Sequence, residues 1–466
     1  MENLWRFFVR TSVVLCALVL IFSVEAAGGV SVKPGDNIQS LVNNNPSGTV
    51  FSFAAGTYVR QSIVPKAGDS FIGVSGAILD GSTTVTGFTF QSPYWVASFN
   101  ITPTSTPGTC LGGYPACIYP EDLFFDGVMY TRVTSVSNVT STRWYLNYST
   151  GKVYLATDPV GHKVHISTTR NAFSGSVSNV TVQGLTIEGY GNPAQSGAIQ
   201  AGSDWVIEQN DVCYNHGAGI AAKSGTHIIN NRICYNGQEG IAASGSGLLV
   251  QGNEIDHNNT AGYLWGWEAG GAKFCRTTNL VVQSNNVHDN VGSGLHTDIN
   301  NSNTLYANNT TANNKVAGIL HEISYSAVIR NNTSTNDGFT PQGTGLGYGA
   351  AIMVNSSPNV EIYGNTVTNG MNGITAWQVS RGSTYLLQNF YVHDNIIRQT
   401  NGGKAAGIAT STGDNSIFTS RYNRYVHNTY TLQSLTAGDF VWENSSVDMA
   451  QWKKYGEDAT GTFNVK

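Results

Sequence analysis

Asp298 and Glu322 are the residues in this sequence whose type and spacing most plainly offer chemistry. Each lies within a similar phrase: "GSGLHTDINN" begins at Gly292 and "AGILHEISYS" at Ala317. Charged residues are only 11% of the 466, so two acids at one repeat position stand out from ordinary solvated surface. If the phrases are parallel strands stacked in register, the acids face one way about 4.8 Å apart. Retaining glycosidases hold their two carboxyl groups about 5–5.5 Å apart, and inverting ones about 6.5–9.5 Å. The spacing therefore points to a retaining pair, with one acid ionised to attack an anomeric carbon. The other stays protonated to release the leaving group, helped by the neighbouring charge.

The elements that must position them are repeats. "VIEQNDVCYN", "HIINNRICYN", "LLVQGNEIDHN", "LVVQSNNVHDN", "TLYANNTTANN", "AVIRNNTSTN" and "VEIYGNTVTN" share an aliphatic segment, an Asn and a second short segment. The marker asparagines are Asn210, Asn231, Asn253, Asn285, Asn308, Asn331 and Asn365, mostly about 22 residues apart with two steps of 32 and 34. A second phrase follows most markers, in which Gly and then Ile or Leu lead into alternation. Units of this length, with short strands and turns rich in Gly and Asn, predict an all-β, right-handed parallel β-helix. A leucine-rich repeat is excluded by the missing leucine spacing and helical segment. Stacked asparagines would hydrogen-bond in a ladder at a tight bend.

Alternation assigns the faces. Ile220 and Ala222 point inward, and the same register puts Lys273 with Cys275, His296 with Asp298, Leu320 with Glu322, Met353 with Asn355 and Thr375 with Trp377 on the outside. His321 turns inward and reads as a satisfied core histidine. His257 and His288 fall at turns, away from the acids. The long steps insert loops on either side of the pair. "NNTAGYLWGWEAGGAKF" supplies Trp265, Trp267, Glu268 and Lys273, and "GFTPQGTGLGYG" follows Glu322. Aromatic faces stack on sugars, and a lysine binds hydroxyls or steadies a carboxylate. With His296 and Trp377, these form the expected substrate-binding set. The competing reading packs the tryptophans against their own loops and leaves His296 at the surface.

Five regions follow. Residues 1–26 read as a secretory signal, with Arg6 and Arg10 before an apolar run and cleavage after Ala26. Residues 27–86 form a cap and first coils, and 87–167 a small inserted antiparallel β-rich subdomain with "DG" and "STGK" turns. Residues 168–430 are the main solenoid, and 431–466 a closing cap with a short helix. An exported chain can form disulfides. Cys110 with Cys117 and Cys213 with Cys234 are possible pairs, the latter equally readable as stacked free thiols, and Cys275 is left over. No Cys-x-x-Cys pair or His/Cys spacing points to zinc, and no cofactor is expected. Net charge of −5 implies no nucleic-acid surface. After signal cleavage no membrane attachment is expected, and the chain should act as an extracellular monomer on an oligosaccharide or polysaccharide.

"GLHTDIN" followed by "GILHEIS" resembles the catalytic region of β-helix glycoside hydrolases of family 120, the β-xylosidase family. The resemblance extends to "DLFFDGVMYTRV", "TRWYLNYSTGKVYLATDP", "HKVHIS", "VKPGDNIQSLV" and "EAGGAKF". It implies Asp298 as nucleophile and Glu322 as acid/base, while His296 stands where that group commonly has a bulky aromatic. Two other functions fit the fold. A uronate lyase or epimerase would need a base and cations, for which Lys273, His296 and Arg276 are available. A non-catalytic carbohydrate-binding protein would carry the acids as surface decoration.

Overall fold

The computed structural model describes residues 29–102, 106–339 and 346–466. The expected signal segment, 1–26, lies outside them. Three long sheets of 13, 12 and 13 strands run the length of a right-handed parallel β-helix. Each coil contributes one strand to each sheet, so residues about a coil apart become neighbours. Ile207, Ile228, Val250 and Val282 stack on one wall, and Ile220, Ile241, Leu295 and Ile319 on another, all fully buried. Burying each such side chain contributes roughly 1.5–3 kcal/mol, which is why the inward column is aliphatic in nearly every repeat.

Two asparagine ladders fix the bends. The first runs Asn210, Asn231, Asn253, Asn285, Asn309, Asn332, Asn365, Asn395, Asn428 and ends on Asp458. Two of the expected markers are thus displaced by one. Asn308 and Asn331 instead hold the left-handed backbone just before the ladder, at φ 57° and 55°. In an Asn-Asn pair one residue supplies the bend and its neighbour the buried amide. The second ladder, Asn215, Asn236, Asn258, Asn290, Asn314 and Asp337, explains the glycine that precedes each inward aliphatic. A Cβ on Gly294 would stand 2.8 Å from the Asn314 amide nitrogen, and one on Gly240 3.0 Å from that of Asn258.

The chain leaves the solenoid after Asp80 and returns so that Thr181 pairs beside Ser70. Between them lies an eight-stranded sheet. It begins at Ser82–Thr84, which sequence reading gives to the first coils, because that strand pairs antiparallel with Val164–Ser167. One of its pairings, Thr131 with Arg143, is parallel. The insertion docks through buried His216, whose Nδ1 lies 3.1 Å from the Asp122 carboxylate and Nε2 2.9 Å from the Cys117 carbonyl. The helix Ile38–Asn44, capped by Asn37, covers the first coil. The helix Met449–Lys454 has a capping box of Asp448 and Gln451 and buries Trp452 at the other end. The closing segment still feeds the solenoid, since Thr462–Val465 pairs with Thr429–Leu432.

Candidate functional site

Five neighbouring strands of one sheet carry the site: Gly270–Thr278, Ser293–Asp298, Ala317–Glu322, Ala350–Asn355 and Ile374–Gln378. Their register makes Lys273, His296, Leu320, Met353 and Thr375 one column. Cys275, Asp298, Glu322, Asn355 and Trp377 form the next. The acids are direct partners across adjacent strands. Immediately after them the chain turns through left-handed residues Ile299, Asn300 and Ile323. A short polar ladder pins this turn: Asn301 donates to Ser324 Oγ at 2.9 Å, and Ser324 Oγ donates to the Glu322 carbonyl at 2.7 Å. The backbone on which both acids sit is therefore held from behind.

Each acid has its own partners. The Lys273 ammonium is 3.0 Å from Asp298 Oδ2, and Asp298 Oδ1 has no hydrogen-bond partner. Burial works to lower the Lys273 pKa, but the charges of Asp298 and Glu268 outweigh it and the net shift is upward. Lys273 therefore remains a cation beside Asp298. Glu322 faces His296, whose Nε2 lies 3.3 Å from Oε2, and Asn355, which donates to Oε1 at 3.1 Å. Arg381 stands 3.8 Å from Oε1. Behind them His321 is fully buried, with Nδ1 2.7 Å from Thr297 Oγ1 and Nε2 2.7 Å from the Tyr325 carbonyl. Burial pulls its pKa down to about 4, so it is a neutral packing group at neutral pH.

A cavity of about 440 Å³ opens over the pair and is lined by Trp265, Lys273, His296, Asp298, Glu322, Tyr348, Asn355, Trp377 and Arg381, among others. Trp377 meets Tyr348 edge-on at 5.7 Å and forms one wall. Two expected binding residues lie elsewhere. Trp265–Glu268 is a single helical turn, so residues two apart point to opposite sides. Trp265 faces the cavity, whereas Trp267 stacks on Tyr263 at 5.8 Å beside the Cys110–Cys117 disulfide. Glu268 hydrogen-bonds Gln195 and reaches the site only through its charge on Lys273. Arg276 is exposed and outside the lining.

Sequence reading passed over Tyr348, Arg381 and Glu239. Tyr348 lies in the flagged loop "GFTPQGTGLGYG", of which residues 340–345 fall outside the described structure. Arg381 sits where the repeat turns irregular. Glu239 lies two residues before the inward Ile241, and nothing in its repeat phrase marks it. It is fully buried with neither carboxylate oxygen hydrogen-bonded. Burial first, and then Glu268, push its pKa well above the carboxylate range, so it is a neutral acid.

His296, Asp298 and Glu322 each offer a donor atom, all within 4.8 Å of one another. Such a set can hold a divalent ion, but the Lys273 ammonium already neutralises Asp298. The arrangement is that of a carboxylate pair, one member in contact with a lysine and the other with a histidine and an amide, beneath aromatic walls.

A family model described as a right handed beta helix region matches residues 196–366. No curated protein matches the chain. Among solved structures, the complex of XylC with xylose superposes with a TM-score of 0.65 at 15% identity, over 92% of this chain and 82% of that one. The Azotobacter vinelandii mannuronan C-5 epimerase AlgE6 A-module gives 0.49 at 11% identity, over 92% of each chain. At 15% identity the likeness to XylC is one of fold.

Proposed function

We propose that the chain is an exported glycoside hydrolase acting with retention on an oligosaccharide or polysaccharide. The observation that carries this reading is the acid pair, register partners with carboxylate oxygens within 4.8 Å, at the floor of the aromatic-walled cavity. Register partners on adjacent strands fit the about 5–5.5 Å of a retaining enzyme better than the about 6.5–9.5 Å of an inverting one. Asp298, paired with Lys273, attacks the anomeric carbon while Glu322 gives its proton to the departing glycosidic oxygen. Glu322 then takes a proton from water, whose oxygen displaces Asp298 from the glycosyl ester. Trp265, Trp377 and Tyr348 offer apolar faces to the sugar, and His296, Asn355 and Arg381 offer polar contacts. The leader expected at 1–26 and the two disulfides, Cys110–Cys117 and Cys213–Cys234, agree with an oxidising, extracellular setting.

A uronate lyase or epimerase is less well served. Two carboxylates face the ligand, Lys273 is already engaged with one of them, and Arg276 is outside the cavity lining. The test is turnover of a panel of nitrophenyl glycosides and plant oligosaccharides, with xylosides first because XylC was solved with xylose. Asp298→Ala and Glu322→Gln should each abolish the turnover seen with the natural chain while leaving its circular dichroism unchanged. Near-normal rates in either variant, or release of an unsaturated product absorbing in the ultraviolet, would remove this mechanism.

A further inference from the structure

The turn after the strand Glu254–Asp256 gathers a second set of donors, on a different sheet from the acid pair. Asp256 and His288 are register partners, in the column that opens with the Cys213–Cys234 disulfide. His257 follows Asp256 in left-handed backbone, at φ 53°. The preceding coils put Tyr214 and Tyr235 at this turn position, and later coils put Asp289, Asn313, Asn336 and Asn369 there. In this coil the position is a histidine, whose ring stacks on Tyr235 at 4.7 Å and turns its Nδ1 toward Asp256.

One donor atom from each of Asp256, His257 and His288 lies within 4.8 Å of the other two. Asp256 is 3% exposed, yet its Oδ1 has no hydrogen-bond partner, and neither has His257 Nδ1. That nitrogen stands 3.4 Å from Asp256 Oδ2 without hydrogen-bond geometry. Two donors each about 2.0–2.1 Å from a tetrahedral zinc stand about 3.3 Å apart. His288 is oriented by a carboxylate, with Nδ1 2.8 Å from Asp289 Oδ2. This leaves Nε2 as the donor, as outer carboxylates do for metal-bound histidines. Glu254 Oε1 lies 3.4 Å from that Nε2. Arg232 is 3.6 Å from Asp256 Oδ2, and its half-exposed side chain is free to turn into water.

A contrast within the same molecule separates a metal set from a surface turn. His393 has the same flanking pair, Asp394 at 2.7 Å and Glu361 at 3.3 Å. There no buried acid and second histidine complete a three-donor group among the described residues.

The geometry points to a divalent transition-metal site made by Asp256, His257 and His288, with Glu254 in reach as a fourth ligand. Two imidazoles and one or two carboxylates in a compact set suit zinc best. The loop carrying Trp265 leaves the solenoid just after His257, so a bound ion would anchor that loop's first residue.

The probe is zinc alone, titrated by calorimetry into the full chain after chelator treatment. The natural chain should bind one equivalent at this site. His257→Gln and His288→Gln should each weaken it at least roughly tenfold, and Asp256→Asn should do the same. His296→Gln, in the other donor group, should leave this equivalent in place. Melting temperatures in chelator, equal for all variants and the natural chain, separate ligand loss from misfolding. Zinc should also raise the melting temperature of the natural chain but not of His288→Gln. Absence of zinc binding by the natural chain would overturn the site. So would binding that survives both histidine changes, or that disappears only with His296→Gln.

Discussion

In the proposed mechanism Lys273 is the residue beside the attacking carboxylate, and its ammonium stands 3.0 Å from Asp298 Oδ2. Lys273→Met keeps the stem and removes the charge. The expected result is a fall in kcat of about 100-fold or more, from about 3 kcal/mol of lost stabilisation, with little change in fold by circular dichroism. Unchanged kcat would mean that the lysine takes no part in the attack. Trp265 and Trp267 carry a second lesson at this scale. Sequence spacing put both near the pair, but one helical turn sends them to opposite sides. No composition or periodicity reveals that turn in advance.

At the scale of elements, alternation from one confident strand was enough to fix the outward columns, because side-chain direction in a strand has period two and one face is aliphatic. The columns of Lys273 with His296 and of Asp298 with Glu322 were therefore legible. The loops were not, since their paths are set by contacts with the insertion rather than by a repeat; Tyr263 beside Cys117 is one such contact. The ladder was legible only to within one residue. Adjacent asparagines differ in burial, with Asn308 exposed and Asn309 nearly fully buried. Asn309 donates to Asn332 at 3.0 Å and to the Val282 carbonyl at 2.9 Å, and it accepts from Asn285. Asn309→Ala should cost about 2–3 kcal/mol by leaving these groups unpaired. Asn308→Gly should be near neutral, because glycine enters the left-handed region freely. Chemical denaturation measures both, and equal losses would contradict the assignment of the ladder to Asn309.

For the whole molecule, the ends matter as much as the middle, since a solenoid exposes its last apolar layer unless it is covered. The closing cap relies on buried acids. Glu457 accepts from the Tyr425 amide at 2.6 Å, and Asp458 ends the first ladder. Burial, the larger cause, and neighbouring Asp458 push the Glu457 carboxyl up to about 8, although the Tyr425 amide and Arg424 act the other way. A carboxyl raised in the folded state contributes stability that is fully present below its unfolded value of about 4.5. That contribution is lost as pH rises through the folded value. The melting temperature should therefore decline between about pH 5 and pH 8, and Glu457→Gln should flatten that decline. A variant with the natural slope would show that the cap is not the source.

The pairing of Asp298 with Glu322 makes one demand of the reaction itself. The proposed retaining pair would perform two displacements at one carbon, so the first sugar released should keep the anomeric configuration of the substrate. Proton NMR of the earliest product, recorded before mutarotation on the best glycoside of the panel, reads this directly. Retention is the expected result. Inversion would mean that a water enters between the acids, and would contradict a covalent role for Asp298.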